Sequence, residues 1–222
     1  RGLIENREVR NPIVPQSLSS AHPSYQTQKV EKKKKKMFHG KCYLCEKGNV
    51  DTVEVEHLIP HKDDSTLKYD WNNLFYSCRR CNSIKSTRPN IVDITKYDVD
   101  RLIELQPPDS DTGDVKVVGH NDNSFDLSST LQLLNDCYND ARTSYREISK
   151  TELLRDIMYY QTIFLQLRFD LLHPSRPLTK SQKDELLESI SAMCKDNYPY
   201  SAFWKWAVFK DSRLKYLIGI WN

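Results

Sequence analysis

The chain carries CYLCEKGNVDTVEVEHLIP at residues 42–60 and WNNLFYSCRRCNSIKS at residues 71–86, and the relation between them decides how it folds. Cys42 and Cys45 make one CxxC turn, and Cys78 and Cys81 make a second. Each such turn presents two thiolates side by side, and two turns together complete the sulfur tetrahedron that Zn2+ prefers. A redox-active CxxC needs only one pair, usually in a βαβ setting, and free thiols need no spacing at all. The doubled spacing therefore predicts a structural zinc site, with all four positions filled and none left for chemistry. That staple would hold everything between the turns, including the adjacent Glu56 and His57. A structural zinc has no use for a neighbouring carboxylate and imidazole.

Around this stretch the local patterns are short. Val53 and Val55 alternate with Glu54 and Glu56, the period of a strand. A helix opening at Cys81 would place Asn82 and Lys85 on one face, three residues apart. Cys137 and Cys194 stand alone on helical segments and read as small buried hydrophobes.

A chain of 222 residues can form one large domain or two small ones, either able to bury a core. No apolar run approaches the roughly 18 residues that span a bilayer, and RGLIENREVR lacks the apolar stretch of a secretory signal. A cytoplasmic protein without a membrane partner is expected, where six cysteines argue for metal or free thiols over disulfides. Residues 1–90 hold 17 Lys/Arg against 10 Asp/Glu, whereas residues 91–222 hold 16 against 20. The basic front half suits a polyanionic partner.

The chain divides into four parts. Residues 1–37 read as an arm followed by a basic helix, with Lys32, Lys33, Lys34, Lys35 and Lys36 either a solvated face or phosphate contacts. Residues 38–104 hold the compact motif region. Residues 105–126, rich in Pro, Gly, Asn and Asp, read as a linker with a short hairpin at 115–118. Residues 127–222 read as a helical domain. Leu131, Leu134, Tyr138, Ala141, Tyr145 and Ile148 paint one helix face, and Leu153, Ile157, Tyr160, Phe164, Leu167 and Leu171 a second. Pro174 and Pro177 stop that second helix, and a third begins near Thr179 or Ser181. The aromatic-rich end from Phe203 reads as core in preference to a partner-binding face.

Taken together, CYLC, VEHLIPH, WNNLF and CRRCNSIKS, in that order and spacing, resemble an HNH endonuclease over residues 38–90. The resemblance implies an α+β fold: a small zinc-stapled, treble-clef-like ββα-metal core inside a mainly helical protein. It implies Glu56 as a metal ligand, His57 as general base, Asn73 as the residue that steadies the loop and orients His57, and Asn82 as the second metal ligand. Lys85 matches a basic residue often found three positions on. Glu at 56 and Asn at 82, where Asp and His are commoner, favour Mg2+ or Mn2+ over zinc at the catalytic site. Arg79, Arg80 and Lys85 would clamp phosphate, and Lys32 to Lys36 would extend that track. His61 has no role in the resemblance and reads as a surface or supporting residue. Neighbours on a regular strand face opposite ways, so β-structure should end or bulge between Glu56 and Pro60.

The layout of the whole chain is similar to the HNH component of Septu-type anti-phage defence systems, which implies DNA as substrate and an ATPase partner. Two other classes remain open. One is a catalytically inactive, zinc-stapled nucleic-acid-binding module. The other is a partner-docking subunit using the helical half.

Overall fold

A computed structural model describes residues 14–20, 23–50, 52–120, 126–142 and 148–221. The expected arm at residues 1–13 and the helical position Tyr145 lie outside that description. The chain is α+β, with two small antiparallel hairpins set among helices.

The first hairpin pairs β1 (Val53–His57) with β2 (Leu74–Cys78), with Val53 opposite Cys78 and His57 opposite Leu74. All of β2 is buried, because both faces of the hairpin are covered. On the valine face lies α1 (Gln28–Met37), whose Val30 packs with Leu74, Leu18, Trp71 and Val55. Thr27 caps α1 by accepting from the Val30 amide, and three lysines in its last turn suit the negative end of the helix dipole. On the glutamate face lies α3 (Arg79–Lys85), which follows β2 directly. The Cys78 sulfur caps α3 by accepting from the Cys81 amide at 3.4 Å, so the second thiol turn is also a helix start. The stretch between the strands contains α2 (Ser65–Lys68) and a 3-10 turn at Trp71–Asn73, each opened by an aspartate cap.

The short helix α4 (Val99–Leu102) leads into β3 (Ile103–Gln106), which pairs with β4 (Lys116–Gly119). Residues 116–119 do enter a hairpin, as β4, but its other strand, β3, begins at Ile103, before the expected linker, and packs on a later helix. The helical half comprises α5 (Ser128–Asn139), α6 (Lys150–Leu172), α7 (Lys180–Met193), α8 (Ser201–Lys210) and α9 (Ser212–Ile218). Ser149 with Glu152, and Thr179 with Gln182, form capping boxes that set the starts of α6 and α7. The aromatic end is core: Phe203, Trp204, Trp206 and Val208 are buried, whereas Tyr216 is exposed.

The helix expected to run from Leu131 to Ile148 is instead broken. It stops at Asn139, because Asp140 turns extended and its carboxylate bonds the Arg142 amide at 2.8 Å. Arg80 of α3 then donates to the carbonyls of Cys137, Asp140 and Ile148 at 3.0, 2.8 and 3.3 Å. One buried guanidinium thus caps α5 and ties down the chain entering α6.

The two halves share one core, in which Cys42, Phe75 and Ile84 join Leu133, Tyr138, Ile157 and Trp204. Glu46, beside the first thiol turn, serves as the missing cap of α8, accepting from the Ala202 amide at 2.9 Å. Buried Lys41 completes that joint by bonding Glu46, Ser201 and the Tyr198 carbonyl.

Candidate active site and metal centre

Cys42, Cys45, Cys78 and Cys81 are all buried, and their sulfurs lie within 4.8 Å of one another. Cys45 and Cys78 sulfurs are 3.8 Å apart. A tetrahedron with Zn–S near 2.3 Å has edges of about 3.8 Å, so the cluster has the size zinc requires. Burial alone would raise the Cys42 thiol, but the thiols of Cys45, Cys78 and Cys81 aim at it and hold it well below its ordinary value. Cys45 and Cys81 move the other way, raised by the hydrogen bond with Cys42 and by burial respectively. Cys137 is fully buried against this cluster, whereas Cys194 is only half-buried at the end of α7.

Beyond the thiols a cleft of about 610 Å3 opens at the end of β1, and Glu54, Glu56, His57, His61, Asn82 and Tyr25 line it. Glu56, His57 and Asn82 therefore share a cleft, as the motif implies. β1 ends at His57 without a bulge, and the two neighbours still diverge. Glu56 turns toward α3, and His57 turns toward the Tyr25 ring at 4.6 Å between centroids.

His57 Nε2 lies 2.9 Å from the Lys68 carbonyl. A carbonyl can only accept, so Nε2 carries the proton and Nδ1 keeps a lone pair in the neutral ring. Burial lowers the His57 pKa below its ordinary value, against the raising effect of the Lys68 carbonyl. The ring is a neutral base near pH 7. The loop after it is pinned by buried Asn73, whose Oδ1 accepts from the Ile59 amide at 2.7 Å. Asn73 Nδ2 donates to the Ile59 and Leu67 carbonyls at 2.9 and 3.1 Å. Asn73 thereby ties β1's exit to the segment that supplies the Lys68 carbonyl. Asn72, its neighbour, is exposed.

Glu56 is buried, accepts from the Tyr43 hydroxyl, and pairs with Lys85 at 3.2 Å. Burial pushes its carboxyl up to about 7, although Lys85 and Tyr43 both pull it down. Glu54, on the same face, accepts from Asn82 Nδ2 and lies 3.8 Å from Arg79. Asn82 Oδ1 is an oxygen donor beside two carboxylates, and that chemistry suits a hard divalent cation. Among the described residues the thiol cluster is nevertheless the one group of three or more His, Cys, Asp or Glu side chains gathered closely enough to hold an ion as they stand.

Several basic residues do not lie where a phosphate clamp needs them. Arg80 is fully buried on its three carbonyls. Lys85 is fully buried between Glu56 and the His57 carbonyl, the latter at 2.6 Å. Lys34 is buried too, donating to the Trp71 carbonyl at 2.7 Å with its ammonium 3.6 Å from that indole's centre. Arg79, Lys32, Lys35 and Lys36 are exposed, and Lys33 is half-buried. Three residues at or beside the cleft make contacts that the sequence does not announce. Glu54 reads as strand alternation, Tyr43 sits inside the CxxC turn, and His61, the last residue of VEHLIPH, reads only as a surface or supporting residue. Only the fold brings them to Asn82, Glu56 and His57, respectively.

Among the described residues no helix is long and apolar enough to cross a membrane. The Septu protein PtuB of Bacillus mycoides (strain KBAB4) is 38% identical over 74 residues, covering 27% of this chain and 25% of that protein. The Septu protein PtuB of Bacillus thuringiensis is 39% identical over 54 residues, covering 23% of this chain and 21% of that protein. The chain thus aligns with about a quarter of the length of these curated relatives. No solved structure matches. Residues 42–88, which hold both thiol turns, the Glu56–His57 pair, Asn73 and Asn82, match the HNH endonuclease family.

Proposed function

We propose that this chain is a metal-dependent HNH endonuclease that hydrolyses DNA phosphodiester bonds. Its setting would be a cytoplasmic anti-phage defence complex with an ATPase partner. The observation that carries the reading is the state of His57: Nε2–H is committed to a carbonyl, Nδ1 is left basic, and burial keeps the ring neutral. In hydrolysis His57 Nδ1 takes a proton from the attacking water as the new P–O bond forms and the P–O3′ bond breaks. A positioned base contributes on the order of 10² to 10⁴ in rate. Asn73 fixes the loop that supplies the Lys68 carbonyl, and through it the tautomer of His57. Glu56 and Asn82 are the residues that would hold Mg2+ or Mn2+, with Glu54 beside them. When bound, that cation supplies charge relief for the phosphate and the leaving oxygen. The four thiols would hold zinc purely to set this geometry. Arg79, Lys32, Lys33, Lys35 and Lys36 remain as contacts for the nucleic-acid backbone.

The test is plasmid cleavage with and without Mg2+ or Mn2+, and with a candidate ATPase partner, run beside His57→Ala. The variant should keep its zinc and its melting temperature while losing cleavage. Cleavage at the wild-type rate in His57→Ala removes this histidine from the mechanism. A second reading, an inactive zinc-stapled binding module, is favoured by the Lys85 ammonium lying on Glu56. It predicts nucleic-acid binding with no metal-stimulated scission at any protein concentration.

A further inference from the structure

His61 has a geometry that the hydrolysis above leaves unused. It is half-buried, lines the same cleft as His57, and packs edge-on to that ring with centroids 4.6 Å apart and planes at 68°. A tight turn holds it there, closed by the Asp64 amide donating to the His61 carbonyl at 2.7 Å. Both central residues, Lys62 and Asp63, have positive φ, 44° and 67°. That is the pattern of a type I′ turn, which ordinarily selects Gly, Asn or Asp, so Lys62 is the residue held against its preference. Strained backbone of this kind persists where the surrounding structure enforces it, most often at functional sites.

The same turn sets the tautomer. The Asp63 amide donates to His61 Nδ1 at 3.1 Å. Nδ1 must therefore hold a lone pair, and the neutral ring carries its proton on Nε2. His57 has the reverse arrangement, with Nε2–H tied to backbone and Nδ1 basic. One cleft thus contains two touching imidazoles, one offering an acceptor and one offering a donor. Among the described residues none accepts the His61 Nε2–H.

We propose that His61 is a catalytic residue that donates an Nε2–H hydrogen bond to a non-bridging oxygen of the scissile phosphate. This rests on the phosphodiester-hydrolase reading and adds a contact to it. His61 does not act as a general acid. A neutral ring that released its Nε2 proton would become an imidazolate, so the proton stays on nitrogen and no bond at His61 forms or breaks. Its effect is electrostatic: it supports the charge that builds on the phosphate as His57 deprotonates water.

The experiment has two arms, both on the full chain. In the first, single-turnover cleavage of an oligonucleotide in Mn2+ is compared among wild type, His61→Ala and His61→Gln. Loss of one oriented donor of this kind lowers the rate by roughly 100-fold or more. His61→Ala should show that loss with little change in binding, and His61→Gln, which keeps an N–H donor, should recover part of it. The acid limb of the pH profile, set by His57, should not move. A His61→Ala rate within about twofold of wild type, with no change beyond that in the profile, overturns the proposal. In the second arm, 15N NMR of the wild-type imidazoles, with no divalent cation added, follows titration with oligothymidylate. The proposal expects the proton on His61 Nε2 and a shift of that nitrogen on binding. If wild type cleaves nothing, the hydrolase reading fails by itself; a His61 Nε2 shift then still upholds the phosphate contact, and its absence overturns it.

Discussion

Replacing Arg80 by methionine tests how the nuclease-like core is joined to the helical half. The side chain is fully buried and donates to three carbonyls, two at good distances (3.0 and 2.8 Å) and one long (3.3 Å). A hydrogen bond from a charged donor contributes about 1.5–3 kcal/mol, so the two good bonds amount to about 3–6 kcal/mol. Methionine fills similar volume and removes the guanidinium's own desolvation penalty, which offsets part of that loss. The carbonyls left behind, one of them in the last turn of α5, keep theirs. The expected net loss is about 3 kcal/mol, and for a chain of this size that lowers Tm by about 6–12 °C. Urea and thermal melts by circular dichroism measure it, and zinc content should be unchanged because all four thiols remain. Arg80→Lys keeps the charge but cannot span three carbonyls, so it should fall between. DNA affinity, measured well below the melting range, separates this role from phosphate clamping. A buried Arg80 predicts an unchanged slope of log affinity against log salt, whereas a phosphate contact predicts a slope smaller by about 1. A variant that melts like wild type and binds with a reduced slope would refute the structural role.

The lysine run should divide in the same assay: removing Lys32, Lys35 and Lys36 together reduces the salt slope, and Lys34→Met does not, because its ammonium is buried on Trp71. The acid limb of kcat/KM should fall below pH 6.5, since His57 must be neutral and burial holds its pKa under that ordinary value. Glu56 should give stability the opposite slope to an ordinary surface carboxylate. Its folded pKa of about 7 exceeds the ordinary 4.5, so the native state holds the extra proton and stability falls as pH rises through that window. Glu56→Gln should flatten the slope in urea midpoints measured between pH 4.5 and 7. Cys81→Ser should lose zinc and unfold the joint core, because metal binding by such sites contributes about 10 kcal/mol or more and both halves pack on it. A Cys81→Ser protein with native melting and no bound metal would show that the thiols are ordinary core.

Much of this protein is legible in the order of its residues, for a reason that can be named at each place. The thiol turns, the alternating Val53–Glu56 strand and the helix start near Thr179 depend on groups a few residues apart, so spacing alone specifies them. The adjacency of Glu56 and His57 marks the candidate site for the same reason. Neighbouring basic residues show where that legibility stops. Arg79 is exposed and Arg80 is buried; Lys34 is buried and Lys35 is exposed; and no local pattern separates the members of either pair. Their fates depend on partners from distant parts of the chain, the carbonyls at the end of α5 and the indole of Trp71. Tertiary structure alone decided that Lys85 faces Glu56, that Glu54 meets Asn82, and that a strained turn brings His61 back onto His57. Burial and hydrogen-bond partnership are properties of a packed surface, and sequence order cannot express a surface that forms only when remote segments meet.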